Sequence, residues 1–491
     1  MRSSVIPPPL KSPDFKQRLK VTVGGRKAGS VEIPPAIVPN VEAEIYLPER
    51  SDGELEVRLY ARREQAPGLF AGFRYSFESE ADQGGVVVRS NRAYWKGGGE
   101  EHWSSGVVDG VVICEPRDLE ILQPPGHVDH TKISGCFWIT PNFALKPFKT
   151  LLQSYTGEVT IKGNEPRTFD VDGHLLKFEH WYKYQRSSGN DTLVFFEPVA
   201  EFEVETEADI NALLLDLDDV LLLASFGTRQ RTICHGWTAE TPRGFVRQYR
   251  RKYGFPQPKP DHTFNHFLVF DEMFDRFMAI TWAQFRQHSQ KDLVRQALWR
   301  ITSDVEQTGE TIFLVLFSAV ENMLEVFSRE SPIGKSIVDR PTWKALKADL
   351  DRVIGGAVLG RSQYEQLFQK VRELNRKTLA TAFDEFAIFK RLRLEGLWPF
   401  VGDGHGITLT AIRNRLIHGY QVSPDDHRSL LIARLHLQWT AEQMMLRILG
   451  WPVEESVVSP QVIENRFPDV DWQRERETLT AAWSNRSNLV G

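Results

Sequence analysis

The chain has 491 residues, 41% of them hydrophobic and 25% charged. That length exceeds one ordinary domain, so two or three are expected, with the composition of a soluble globular protein. A formal net charge of −5 and an isoelectric point near 6.3 exclude a general polyanion binder, so any contact with nucleic acid must come from a local basic surface.

Cys114, Cys136 and Cys234 are widely spaced and odd in number. They fit neither a disulfide framework nor a C-x-x-C site, and a reducing cytoplasm suits them. The start, Met1-Arg2-Ser3-Ser4 followed by Pro7-Pro8-Pro9, lacks the apolar core of a signal peptide. No run of about 18 apolar residues exists, so no membrane partner is expected.

Up to about residue 240, short alternating or β-branched runs are separated by Gly, Pro, Asn and Asp. Glu54–Tyr60, Gly85–Val88, Val107–Ile113, Gly157–Ile161 and Leu193–Glu205 are examples. This spacing predicts a mostly antiparallel sandwich or barrel. Trp95, Trp103, Trp138 and Trp181 fall among these runs and read as core. Over Ala208–Ser225, leucines at 213, 214, 217, 221 and 222 recur at helical spacing, which predicts a helix packed on the sheet.

Pro256-Gln257-Pro258-Lys259-Pro260 reads as a stiff connection. Helical spacing follows over Phe264–Arg286 and Lys291–Val305, and Glu310–Phe327 is apolar enough to be a central buried helix. Trp343–Val353, Tyr364–Thr378, Phe383–Leu394, Ile407–Leu416 and Asp425–Leu449 complete the pattern. Seven or eight helices with short connections predict a bundle. The fold class is therefore α+β, with a β-rich region over 1–240, a linker over 241–261, an all-α bundle over 262–450 and a polar appendage over 451–491.

Arg413-Asn414-Arg415-Leu416-Ile417-His418-Gly419 sets an arginine, an amide and a histidine within six residues. These groups suit metal-free RNA cleavage: a cation for a phosphate and a titratable nitrogen to move protons. Arg167…His174 and Arg229…His235 have similar spacing, but the first spans a hairpin turn at Asp172-Gly173 and the second lies in the β-rich half. Only the third lies in a helical bundle, with Gly419 as a helix-stop signal after the histidine. On a straight helix Arg413 and His418 would stand about 140° apart. A helix ending at His418-Gly419 can redirect the imidazole, while Ile412 and Leu416 anchor the helix in the core. The bland alternative is a helix end carrying Arg and His for dipole reasons.

Arg413…His418 resembles the R-x4–6-H motif of the HEPN superfamily, whose active members are ribonucleases. The resemblance covers about residues 262–450 and includes Glu321, in Ala319-Val320-Glu321-Asn322-Met323-Leu324, because such bundles carry a polar or acidic residue on an earlier helix facing the motif. Joining a β-rich region to the bundle resembles the ApeA-like anti-phage HEPN proteins, and Thr131–Gly163 is compatible with their N-terminal region.

The resemblance implies a metal-independent endoribonuclease that forms a 2′,3′-cyclic phosphate, in anti-phage defence by abortive infection or as a toxin. It implies Arg413, Asn414 and His418 as catalytic residues, Glu321 as their support, RNA (tRNA or another cellular RNA) as substrate, and no cofactor. It further implies a homodimer through the bundle and, by analogy alone, a phage-derived trigger at residues 1–240. The alternative is a non-catalytic HEPN protein acting with a partner.

Arg372, Arg376, Lys377, Lys390, Arg391 and Arg393 precede the motif, and Arg415, His427, Arg428, Arg434 and His436 follow closely. Arg415, Arg391, Arg393 and Arg428 are the RNA-binding candidates. Other patterns fail. Gly334-Lys335-Ser336 lacks the leading glycine of a Walker A loop, since position 329 is Arg. His127-Val128-Asp129-His130 has no partner cluster for zinc, so no metal site is expected. Asp216-Leu217-Asp218-Asp219 lacks a Gly-Ser helix start, and there is no G-x-S-x-G elbow.

Overall fold

The computed structural model describes residues 19–26, 36–47, 55–61, 74–79, 85–102, 108–124, 132–140, 153–155, 158–160, 167–171, 173–186, 192–250, 267–302, 308–331, 336–357, 360–402, 404–420, 422–459 and 471–487. The chain forms two units. One comprises Met1–Leu221 with Gln230–Phe255; the other comprises Leu222–Arg229 with Pro256–Gly491.

The first unit is β-rich. Its strands are β1 Leu19–Arg26, β2 Ala36–Tyr46, β3 Glu56–Ala61, β4 Arg74–Ser79, β5 Val87–His102, β6 Val108–Pro116, β7 Asp118–Gln123, β8 Ile133–Ile139, β9 Gln153–Tyr155, β10 Glu158–Thr160, β11 Arg167–Val171, β12 His174–Arg186, β13 Thr192–Val204, β14 Cys234–Thr241 and β15 Gly244–Arg250. The order β5-β4-β1-β2-β3-β6 closes on itself through β5–β6 pairing, giving a six-stranded antiparallel barrel. From β5 the sheet continues as β7-β15-β14-β8-β13-β12-β11, and β9 pairs with β10.

Alternation along the strands supplies the barrel's filling. Val21, Val23, Ala43, Val57, Leu59 and Tyr75 point into one apolar cluster that also holds Cys114, Cys136 and Trp138. Burial raises the pKa of the Cys114 and Cys136 thiols, and all three cysteines are buried and outside any disulfide among the described residues. Where β8 crosses β14 only glycine fits, because a Cβ on Gly135 would lie 2.4 Å from the Thr238 carbonyl.

Trp138 is fully buried, as expected, but Trp95 is 52% exposed. The ladder with β6 shifts register between Trp95 and Gly97, and such a bulge re-aims the side chain. Trp103 and the Trp181 side chain lie outside the described residues, as do His127–His130. Beside the turn expected at Asp172-Gly173, of which Asp172 lies outside the described residues, the Gly173 N–H donates to the Asp170 carboxylate and Val171 pairs with His174.

The leucine repeat forms helix α1, Glu207–Thr228. Its residues up to Leu221 belong to the first unit, and from Leu222 the chain belongs to the second. There the Gly227 carbonyl accepts from the Leu268 and Val269 N–H groups, and Phe226 packs against Phe277. Arg229, at φ 54°, ends this stretch with a bidentate ion pair to the fully buried Glu442.

The other helices of the second unit are α2 Phe274–Gln287, α3 Lys291–Ile301, α4 Gly309–Glu330, α5 Arg340–Gly355, α6 Arg361–Glu373, α7 Leu379–Lys390, α8 Leu409–Ile417, α9 His427–Ile448 and α10 Trp472–Ser487. Helix α2 begins later than its spacing predicts. Val269 bridges to Ser456 and the Leu268 and Val269 amides bind Gly227, which holds that stretch extended.

Helix α4 is central: Phe313, Leu316, Phe317, Val320, Met323, Leu324 and Phe327 are buried along it. It packs against α3, α7, α8 and α9. Among the described residues α4 alone is long and apolar enough to cross a membrane, and 50% of its apolar window is buried inside the protein. The stretch 451–491, expected as an appendage, instead adds α10 to the core. Leu479 and Trp483 are fully buried, because α10 turns its apolar residues onto α9.

Candidate functional site

Helix α8 is short and firmly set. Thr408 caps its start by accepting from the Ala411 N–H, and Thr410 donates to the Phe400 carbonyl at 2.7 Å. Leu409, Ile412 and Leu416 are buried, so one face of α8 is fixed against the core. Arg413 follows Ile412 and reaches α4, where Phe317 and Glu321 stand four residues apart on one helix face.

That pair is a seat for the guanidinium. Arg413 lies over the Phe317 ring, 5.5 Å from its centre, and its Nη2 donates to Glu321 Oε1 at 2.8 Å. Its Nη1 donates to Asn414 Oδ1 at 3.1 Å. Nε–H and one hydrogen on each terminal nitrogen are left for a ligand. The ion pair is partly open, with 30% and 36% of the two side chains exposed.

The helix stops in a Schellman motif. The Gly419 N–H donates to the Leu416 carbonyl and the Tyr420 N–H to the Arg415 carbonyl, both at 3.1 Å. This needs a left-handed residue, and Gly419 has φ 81°. His418 is the C-cap, with φ −80° and ψ 14°, and its side chain is exposed. Arg413, Asn414 and Glu321 are therefore joined by hydrogen bonds. The His418 ring stands at the same helix end and makes no hydrogen bond among the described residues.

The expected phosphate-holding arginines are differently placed. Arg415 is turned toward α10, donating to the Trp483 carbonyl at 3.0 Å with its guanidinium 5.1 Å from that ring's centre. Arg428 pairs with Glu475 at 3.0 Å, and Arg393 lies 3.7 Å from Glu454. Arg391 is the left-handed C-cap of α7; it is exposed and has no ion pair among the described residues. Lys377 pairs with Glu385.

His436 is buried among Trp398, Trp439 and Trp472, and burial lowers its pKa to about 3. Its Nδ1 accepts the Trp398 backbone N–H, so the proton of the neutral ring sits on Nε2. Among the described residues no group of three or more His, Cys, Asp or Glu is placed to hold a metal ion.

Phe317 escaped the sequence reading, since an aromatic residue on a buried helix reads as core. Its spacing of four from Glu321 was the available signal. Compared with protein-family models, curated proteins and solved structures, the chain matches none.

Proposed function

We propose that the chain is a metal-independent endoribonuclease of the HEPN kind. The observation that supports this best is the seating of Arg413. A guanidinium fixed by an aromatic face, a carboxylate and an amide keeps donors for a phosphate at little entropic cost. The ribose 2′-oxygen attacks the adjacent phosphorus, a bond to O2′ forms, and the bond to O5′ breaks. The products are a 2′,3′-cyclic phosphate and a free 5′-hydroxyl.

His418 accepts the 2′-hydroxyl proton or supplies one to the leaving oxygen, a role worth about 10²–10⁴-fold in rate. Arg413 stabilises the added negative charge of the transition state, and Asn414 holds the arginine or substrate. In-line transfer needs a proton acceptor and a donor on opposite sides, and one motif offers one titratable ring. A homodimer through the helical unit supplies the second. A cytoplasmic role in anti-phage defence or as a toxin, with a trigger acting at the β-rich unit, belongs to the same reading.

One observation favours a second reading, a non-catalytic protein acting with a partner. Arg415, Arg393 and Arg428 are engaged by the protein's own groups, so of the four expected phosphate ligands Arg391 alone has no such partner among the described residues. Labelled RNA incubated in EDTA with wild type and His418→Ala separates the two. Cleavage by wild type alone supports the enzyme. Equal cleavage by both, or none by either, removes the catalytic reading. Light scattering showing a monomer would count against the dimer.

A further inference from the structure

The β-rich unit carries a row of polar side chains where apolar ones are expected. Arg89 on β5 is the register partner of Glu120 on β7, Glu120 of Gln248 on β15, and Gln248 of Trp237 on β14. Direct partners on neighbouring strands share a face, so these four stand side by side. They line a cavity of about 470 Å³ together with Glu207, Asn211 and Leu214 from the first half of α1. A helix on a sheet ordinarily buries apolar surface on both sides. This cavity sets charged and amide groups on both, beside Leu214 and the Trp237 ring.

Its charges are ordered into pairs. Arg89 binds Glu120 at 2.7 Å, and Arg243, from the β14–β15 turn, binds Glu207 through two parallel bonds. Arg243 also approaches Glu120 to 3.7 Å, so the four form a chain of alternating sign. Over the whole lining Arg89, Arg243 and Arg250 balance Asp118, Glu120 and Glu207. A ligand of net charge would meet opposing groups and lose its hydration for no net gain.

Three neighbouring side chains line the cavity with little or no hydrogen bonding to the described residues, so they remain open to a ligand. Trp237 is 6% exposed, and its indole N–H has no hydrogen bond among the described residues; the Asn211 amide has none either. The Gln248 amide makes one long contact, 3.4 Å to the Tyr249 carbonyl. Each guanidinium–carboxylate pair and each amide sets a donor beside an acceptor. A hydroxyl, which donates and accepts at once, satisfies both. Vicinal hydroxyls on a ring match such a lining, and the volume is that of a small-molecule site.

We propose that this cavity binds a small uncharged polyhydroxyl ring: a free monosaccharide or the ribose of a nucleoside. The proposal does not rest on RNA cleavage. Titration calorimetry on the full-length protein tests it, with glucose, galactose, mannose and ribose in one arm. Adenosine, guanosine, cytidine and uridine form the other, each beside its 2′-deoxy form. At least one compound is expected to saturate with a Kd of about 1 mM or tighter. Saturation by monosaccharides identifies a free sugar; saturation by nucleosides alone, weaker without the 2′-hydroxyl, identifies the ribose.

Asn211→Leu and Gln248→Leu, which leave every ion pair intact, are expected to weaken that binding about tenfold each. Asn211 is an exposed helical residue, so its variant keeps the fold even if the strand variant does not. Absence of saturation in both arms overturns the proposal. So does binding that Asn211→Leu leaves unchanged, or ribose 5-phosphate binding more tightly than ribose.

Discussion

Arg413 on α8 and Glu321 on α4, 92 positions apart in sequence, meet at 2.8 Å with the Phe317 ring beneath the guanidinium. Both side chains are about a third exposed, so the pair is worth at most about 1 kcal/mol of stability. Its larger effect is on direction, since one carboxylate decides where the arginine points. Glu321→Ala is expected to unfold in urea within about 1 kcal/mol of wild type while losing about tenfold or more in RNA cleavage. Glu321→Gln, which still accepts a hydrogen bond, should recover part of it. Equal cleavage by Glu321→Ala and wild type would leave the carboxylate without a role.

Gly419→Ala isolates a backbone effect. Nothing lies within 4 Å of a Cβ built there, so the cost is that of holding an L-residue at φ 81°. A loss of about 1–2 kcal/mol in urea unfolding is expected. His418, which directly precedes it, should lose its fixed backbone, and cleavage should fall more than stability does. Gly419→Asn, which tolerates left-handed geometry better, should lie between the two.

The buried His436 makes stability depend on acid. Its folded pKa, about 3, lies below the unfolded value of about 6.5. The unfolded chain therefore takes up a proton that the folded one refuses. The stability tied to neutral His436 is complete above pH 6.5 and is lost at about 1.4 kcal/mol per pH unit as pH falls from there toward 3. Urea unfolding at pH 7 and pH 5 measures it. His436→Gln, which keeps an acceptor for the Trp398 N–H, should flatten that difference.

Glu442→Ala should be among the costliest single changes in the helical unit. It strands the Arg229 guanidinium, 14% exposed, against a carboxylate site that is 1% exposed. A loss of about 3–5 kcal/mol is expected. Glu442→Gln, uncharged but still able to accept, should cost less. A melting temperature unchanged in Glu442→Ala would show the pair to be idle.

The helices were legible because their apolar spacing is regular: α4 and α9 lie within three residues of their expected ends. Helix α8 starts at Leu409 instead of Ile407 because Thr408 caps it. The motif's helix stop was legible from Gly419 alone, since few residues take that backbone. Barrel closure was not legible. It depends on β5 pairing with both β4 and β6, and the strand's own sequence does not announce two partners. Nor was α10, whose polar composition hid Leu479 and Trp483. Arg415 and Arg428 read as phosphate ligands because a sequence shows charge but not the Trp483 carbonyl and Glu475 that engage them.

The stretch Leu222–Arg229 bears on how this gene can be dissected. It precedes β14 and β15 in sequence yet supplies Phe226, the Gly227 carbonyl and Arg229 to the helical unit. A fragment begun at residue 256 would lack a piece of its own core, and one ended at 221 would forfeit two strands. No single breakpoint yields two whole parts. Expression of the helical unit alone requires grafting those eight residues onto its start, and recombination by one crossover could not have traded either unit away intact.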